Sequence, residues 1–85
     1  MKIRLAQINP IVGNLDYNST LIKKIIKTSN EFDIVVFPEL SLTGYPPQDL
    51  LLNANFISKC QNYLDDIKNL IGNQIVIIGF PRNQD

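Results

Sequence analysis

Two uninterrupted apolar runs constrain this chain more than anything else in it: Asp33-Ile34-Val35-Val36-Phe37 and Gln74-Ile75-Val76-Ile77-Ile78-Gly79. Strands that face solvent on one side alternate apolar with polar residues, whereas strands of a parallel sheet covered on both faces read as continuous Val/Ile segments. Both runs therefore predict doubly buried parallel strands. Between them, Phe56, Ile57, Cys60, Leu64, Ile67, Leu70 and Ile71 trace one helical stripe from about Asn55, with Gly72 where a C-terminal cap belongs. Upstream, Lys2 to Gln7 alternates with Ile3 and Leu5 on one face and is closed by Asn9-Pro10, which predicts a first strand. Asp16 then offers a helix N-cap ahead of Leu21, Ile22, Ile25 and Ile26, with Lys23, Lys24 and Lys27 on the wet face and the end of the helix near Ser29 to Asn30.

The resulting order, β-α-β-α-β, implies parallel pairing through right-handed crossovers and an α/β sheet in a single domain over 1–85. Cover is then the difficulty. Two helices on one side leave the other sheet face bare, and that face would exceed the few hundred Å² of contiguous apolar surface usual on a monomer. Either the helices lie on opposite faces, as in a doubly wound sheet, or a second sheet or another chain packs there.

Composition excludes several functions. With 85 residues there is room for one small domain, and 8 basic against 8 acidic side chains give no excess positive potential for nucleic acid or an anionic membrane. No apolar run approaches the roughly 18 residues of a membrane span, and Met1-Lys2-Ile3-Arg4 opens no secretory leader, so a cytoplasmic protein is expected. One cysteine and no histidine exclude an internal disulfide, a structural zinc site and any catalytic pair that needs an imidazole, so no metal is expected. Cys60 itself lies on the apolar stripe, where a thiol packs as a small hydrophobe. The lysines, Lys59 and Lys68 included, fall on or near wet helix faces and read as solubilising.

The chemistry points to the segment after the second strand. Pro38 ends that strand and delivers Glu39 to the carboxyl edge of the sheet, where open α/β folds place their sites. The following stretch from Glu39 to Asp49 is polar and proline-rich, with Gly44 and Pro46-Pro47, a loop that neither a ladder nor a helix absorbs. Ser41, Thr43 and Tyr45 supply hydroxyls near Glu39, but no base accompanies them, and turn-forming hydrogen bonds are their expected role.

Two motifs in order, Ala6-Gln7-Ile8-Asn9-Pro10-Ile11-Val12-Gly13 and Phe37-Pro38-Glu39-Leu40 followed by Leu42-Thr43-Gly44-Tyr45-Pro46-Pro47, resemble the start of a carbon-nitrogen hydrolase of the nitrilase superfamily. More narrowly, they are similar to the N-terminal glutaminase domain of glutamine-dependent NAD synthetases. The resemblance implies that the chain is the opening β-α-β-α-β portion of a nitrilase-like αββα sandwich, truncated. In that family a Glu acts as general base, a Lys supports the acyl-transfer intermediate and a Cys is the nucleophile. Glu39 matches the Glu, while the Lys and Cys belong to motifs that lie beyond the third strand. Tyr45 is carried over as a wall of the glutamine pocket, and Gln48 stands where the family often has a glutamate. No Gly-rich phosphate loop is present, so the ATP-dependent half of NAD synthesis is not encoded here and no cofactor is expected. The expectation is thus an amidase segment inactive alone, completed by a complementary amidase chain that would bring glutamine with it, or a non-catalytic module that forms a homo-oligomer through its bare sheet face. A doubly wound binding domain with helices on opposite faces is the third alternative.

Overall fold

The computed structural model describes residues 1–44 and 53–79. Along them run β1 (Ile3–Leu5), α1 (Leu15–Lys27), β2 (Ile34–Val36), α2 (Ala54–Lys68) and β3 (Ile75–Ile77). The three strands form one parallel sheet in the order β1-β2-β3. Ile3 pairs with Ile34 and Ile34 with Ile75, and the rows continue through Arg4, Val35 and Val76 to Leu5, Val36 and Ile77. The element order is that read from the periodicity; the strands are shorter than their apolar runs, because pairing stops where Phe37 and Ile78 turn out of the ladder.

Strands added in one direction by crossovers of one hand carry both connecting helices to the same face. Accordingly α1 and α2 pack against each other, and the core lies between them and one side of the sheet. Ile22, Ile26, Val35, Leu42 and Cys60 lose essentially all solvent contact there, with Phe37 and Ile67 beside them. This arrangement excludes the doubly wound alternative. It also corrects the expectation of doubly buried strands: Ile3, Leu5, Ile75 and Ile77 remain 54%, 73%, 59% and 52% exposed on the opposite face, with Ile34 and Val36 half-buried between them. A continuous apolar run reports what a strand needs, and the described residues cover one face.

Arg4, on the helix side of β1 and in register with Val35, lies at the core's margin. Its guanidinium donates to Ser29 Oγ at 2.9 Å and lies 5.8 Å from the centroid of the Phe32 ring, so its stem covers apolar surface while its charge is satisfied.

The helix ends differ from the sequence reading by a few residues. Asn14, not Asp16, caps α1: its side-chain oxygen accepts from the Tyr17 backbone N–H at 3.1 Å, because the turn at Gly13 (φ +74°) presents position 14 to the first turn. Asp16 sits inside the first turn, where its charge still complements the helix dipole. α2 is capped by Asn53 through the Phe56 N–H and ends at Lys68 with Asn69 as its C-cap. Gly72 lies three residues beyond that cap and has no left-handed backbone, so it does not terminate the helix.

Candidate functional site

At the carboxyl edge, Phe37 leaves β2 with a last bond from its N–H to Ile77 O at 2.9 Å. Pro38 and Glu39 then project into solvent. Leu40 follows with φ +57°, a left-handed conformation that costs an ordinary L-residue roughly 1–2 kcal/mol. Two bonds close the chain into a compact turn: Ser41 Oγ donates to Pro38 O, and Gly44 N–H donates to Leu40 O at 2.7 Å. Strain of this kind next to a carboxylate is what pre-organised sites store.

The turn is wedged between two backbone segments. On one side is Gly79, just past β3, where a Cβ would come within 3.1 Å of Leu40 N and 3.2 Å of Glu39 Cα. On the other is the β1–α1 loop, to which Gly13 N–H ties Thr43 O at 2.9 Å. There a Cβ on Gly44, whose φ is +71°, would meet Val12 Cα at 3.0 Å. Glu39 therefore stands on the wall of a cleft of about 310 Å³ lined by Ile8, Asn9, Pro10, Val12, Pro38 and Gly44. The two motifs that carry the resemblance thus meet in space.

The remaining candidate residues sort as follows. Ser41 and Thr43 are fully buried, and their hydroxyls are spent on Pro38 O and Gly44 O, the turn-forming role expected of them. Tyr45 and Gln48 lie outside the described residues. Lys59 and Lys68 are exposed on α2. A larger concavity of about 530 Å³ separates the β1–α1 loop from α2; it holds Lys59 and the hydrogen bond from the Tyr63 hydroxyl to Asp16, a bond that raises the tyrosine's pKa by stabilising its proton.

Cys60 is 0% exposed, and burial pushes its thiol up to about 11, a backbone hydrogen bond opposing only in part. The helical stripe had indicated this inert role. At pH 8 a thiol with this pKa holds roughly a hundredth of the thiolate it would hold at 9, so iodoacetamide should label Cys60 at least about 100-fold more slowly in the native chain than in urea. The sign for stability follows. The native state keeps the proton that the unfolded chain releases between about pH 9 and 11, so the contribution from neutral Cys60 is present below pH 9 and lost as pH rises through 11.

Sequence reading missed three residues that hold this edge together: Leu40, Gly79 and Asn18. Asn18 is the least obvious, a fully buried amide that bonds to the backbone of both loops. The available signal was its place on the buried face of α1 with Leu15, Ser19, Ile22 and Ile26.

Comparison with known proteins gives a consistent result. No family model matches the chain. The glutamine-dependent NAD(+) synthetase of Aquifex aeolicus is 42% identical over 84 residues, covering 95% of this chain and 15% of that protein. The synthetase of the same name from Xylella fastidiosa is 34% identical over 98% of this chain and 16% of its own length. Among solved structures, the glutamine-dependent NAD+ synthetase of Acinetobacter baumannii, determined in complex with ADP, superposes with a TM-score of 0.76 at 27% identity, over 98% of this chain and 16% of that one. The chain thus spans about one sixth of the length of the proteins it resembles.

Proposed function

On the premise that this chain is homologous to glutamine-dependent NAD(+) synthetases, of which it represents a small α/β segment, we propose that it is the opening portion of a nitrilase-type, ammonia-supplying glutamine amidohydrolase domain, with Glu39 as the general base. The observation that carries the reading is the setting of Glu39: an exposed carboxylate on a strained turn, clamped between the loop after β1 and the end of β3. A base needs room for its proton donor and a backbone held in place; Glu39 is exposed and its Cα is packed against Gly79.

In the completed domain, Glu39 takes the proton of a cysteine thiol as the sulfur attacks the amide carbon of glutamine. The proton then passes to the leaving nitrogen, which departs as ammonia, and water hydrolyses the thioester to glutamate with the same carboxylate assisting. The nucleophile and the lysine that steadies the acyl-transfer intermediate come from elsewhere. Cys60 is buried in the core, and neither Lys59 nor Lys68 corresponds to the family's lysine. No helix among the described residues is long and apolar enough to cross a membrane; the reading assigns the protein to the cytoplasm.

A second reading is favoured by the bare sheet face. Ile3, Leu5, Ile75 and Ile77 form a contiguous uncharged surface of the kind that marks association sites, and in the isolated chain a second copy is available to cover it. The isolated chain is therefore expected to release no measurable ammonia from glutamine, by a coupled ammonia assay, and to sediment as a species larger than a monomer. Turnover by a monomeric chain would contradict both parts.

The direct test is a chimera in which this chain replaces the segment that it matches in the Aquifex aeolicus synthetase. Release of ammonia from glutamine by the purified chimera is the expected result. A folded chimera that binds glutamine but releases no ammonia would overturn the proposal.

A further inference from the structure

We infer that Asn18 is a positioning residue that holds Glu39 in place by tying both carboxyl-edge loops to helix α1; this rests on the reading of Glu39 as the base. The side chain is 0% exposed. Its oxygen accepts from Ile11 N–H at 2.7 Å, and its amide nitrogen donates to Ile11 O and to Leu42 O, each at 2.8 Å. Both N–H groups and the carbonyl are thereby used. None of these partners belongs to α1 itself or to the sheet. A buried amide that served only to stabilise the core would bond within the elements that make the core; this one bonds only to the two loops that flank Glu39.

The mechanical path is short. α1 is anchored in the core by Ile22 and Ile26, so Asn18 is a fixed post. Leu42 lies within the turn closed by Ser41 and Gly44, and a displacement of its carbonyl moves the turn as a unit against Gly79. Only a carboxamide meets the geometry. Aspartate has no N–H to offer and would aim a charge at two carbonyl oxygens, while alanine removes the partner of Ile11 N–H and of Leu42 O and leaves Ile11 O with its bond from Asn14 N–H alone.

The test uses Asn18→Asp and, should that variant not fold, Asn18→Ser, which is small enough to admit water in place of the lost bonds. In the 85-residue chain, amide exchange at Ile11, Gly13 and Gly44 is expected to accelerate at least tenfold and the backbone resonances of Glu39 and Leu40 to shift or broaden. The sheet amides of Ala6, Phe37 and Ile75 keep their protection. Equal loss of protection in the sheet would assign Asn18 a general structural role and overturn the inference, as would a variant in which Ile11 responds and Glu39 does not.

The second arm uses the chimera, where Asn18→Asp is expected to lower kcat for glutamine hydrolysis at least tenfold with KM within about twofold. In a Glu39→Gln background the same substitution should have no further effect, because its influence runs through that carboxylate. A further tenfold loss in that background overturns the positioning role. Full activity of Glu39→Gln alone instead overturns the base assignment, so the two failures are distinguishable.

Discussion

In the chimera, Glu39→Gln should lower the rate of ammonia release from glutamine by on the order of 10² to 10⁴, the contribution of a positioned general base. Glutamine keeps the length and polarity of the side chain but cannot take a proton from a thiol. The same substitution should leave thermal stability within about 0.5 kcal/mol of the parent, as for surface positions in general. Glu39 is exposed, and among the described residues its carboxylate makes no hydrogen bond or ion pair. The separation of the two effects is the diagnostic feature. A large loss of stability would place Glu39 in the framework, and an unchanged rate would require a different base.

Gly44→Ala should be the most damaging methyl addition in the described chain, at about 2 to 4 kcal/mol in chemical denaturation. The left-handed backbone at φ +71° accounts for roughly 1–2 kcal/mol in an L-residue. The remainder comes from the 3.0 Å approach to Val12 Cα and 3.2 Å to Val12 N, backbone atoms that cannot swing aside as a side-chain tip can. Against a total of about 5–15 kcal/mol for a typical domain, that loss is a large fraction. Gly72→Ala is the natural control, since a Cβ there meets nothing within 4 Å; a change of less than about 0.5 kcal/mol is expected. Comparable losses at both positions would show that the contact between the two loops is not what makes Gly44 costly to replace.

Much of this architecture is legible in the residue pattern, and the exceptions have physical causes. The five elements announce themselves because their periods differ, two uninterrupted runs for β2 and β3 against 3.6-residue stripes for α1 and α2. The placement of Glu39 at the carboxyl edge follows from Pro38, which cannot extend a ladder. The inertness of Cys60 follows from its register with Ile57 and Leu64. The cover of the strands is not legible in the same way, because apolar composition records a demand for burial and not its source; the choice of helix face depends on strand order, a property of no single segment. The shift of the α1 cap from Asp16 to Asn14 has a local reason. Asn and Asp are both good caps, and the turn made at Gly13 decides between them. Asn18 escapes notice because an asparagine on an amphipathic helix reads as a polar residue out of place, and its three backbone partners are separated from it by up to 24 positions.

The strand order has one more consequence. β2 is hydrogen-bonded on both sides, to β1 and to β3, so Val35 is aligned at once with Arg4 and with Val76. Side chains alternate between faces, so a slip of β2 by one position would eject Val35 from the core and drive Ile34 or Val36 into it. It would also misalign both neighbours together. The sheet therefore does not hold two independent registers that can err separately; alignment is a single choice made at the middle strand and copied outward to each edge.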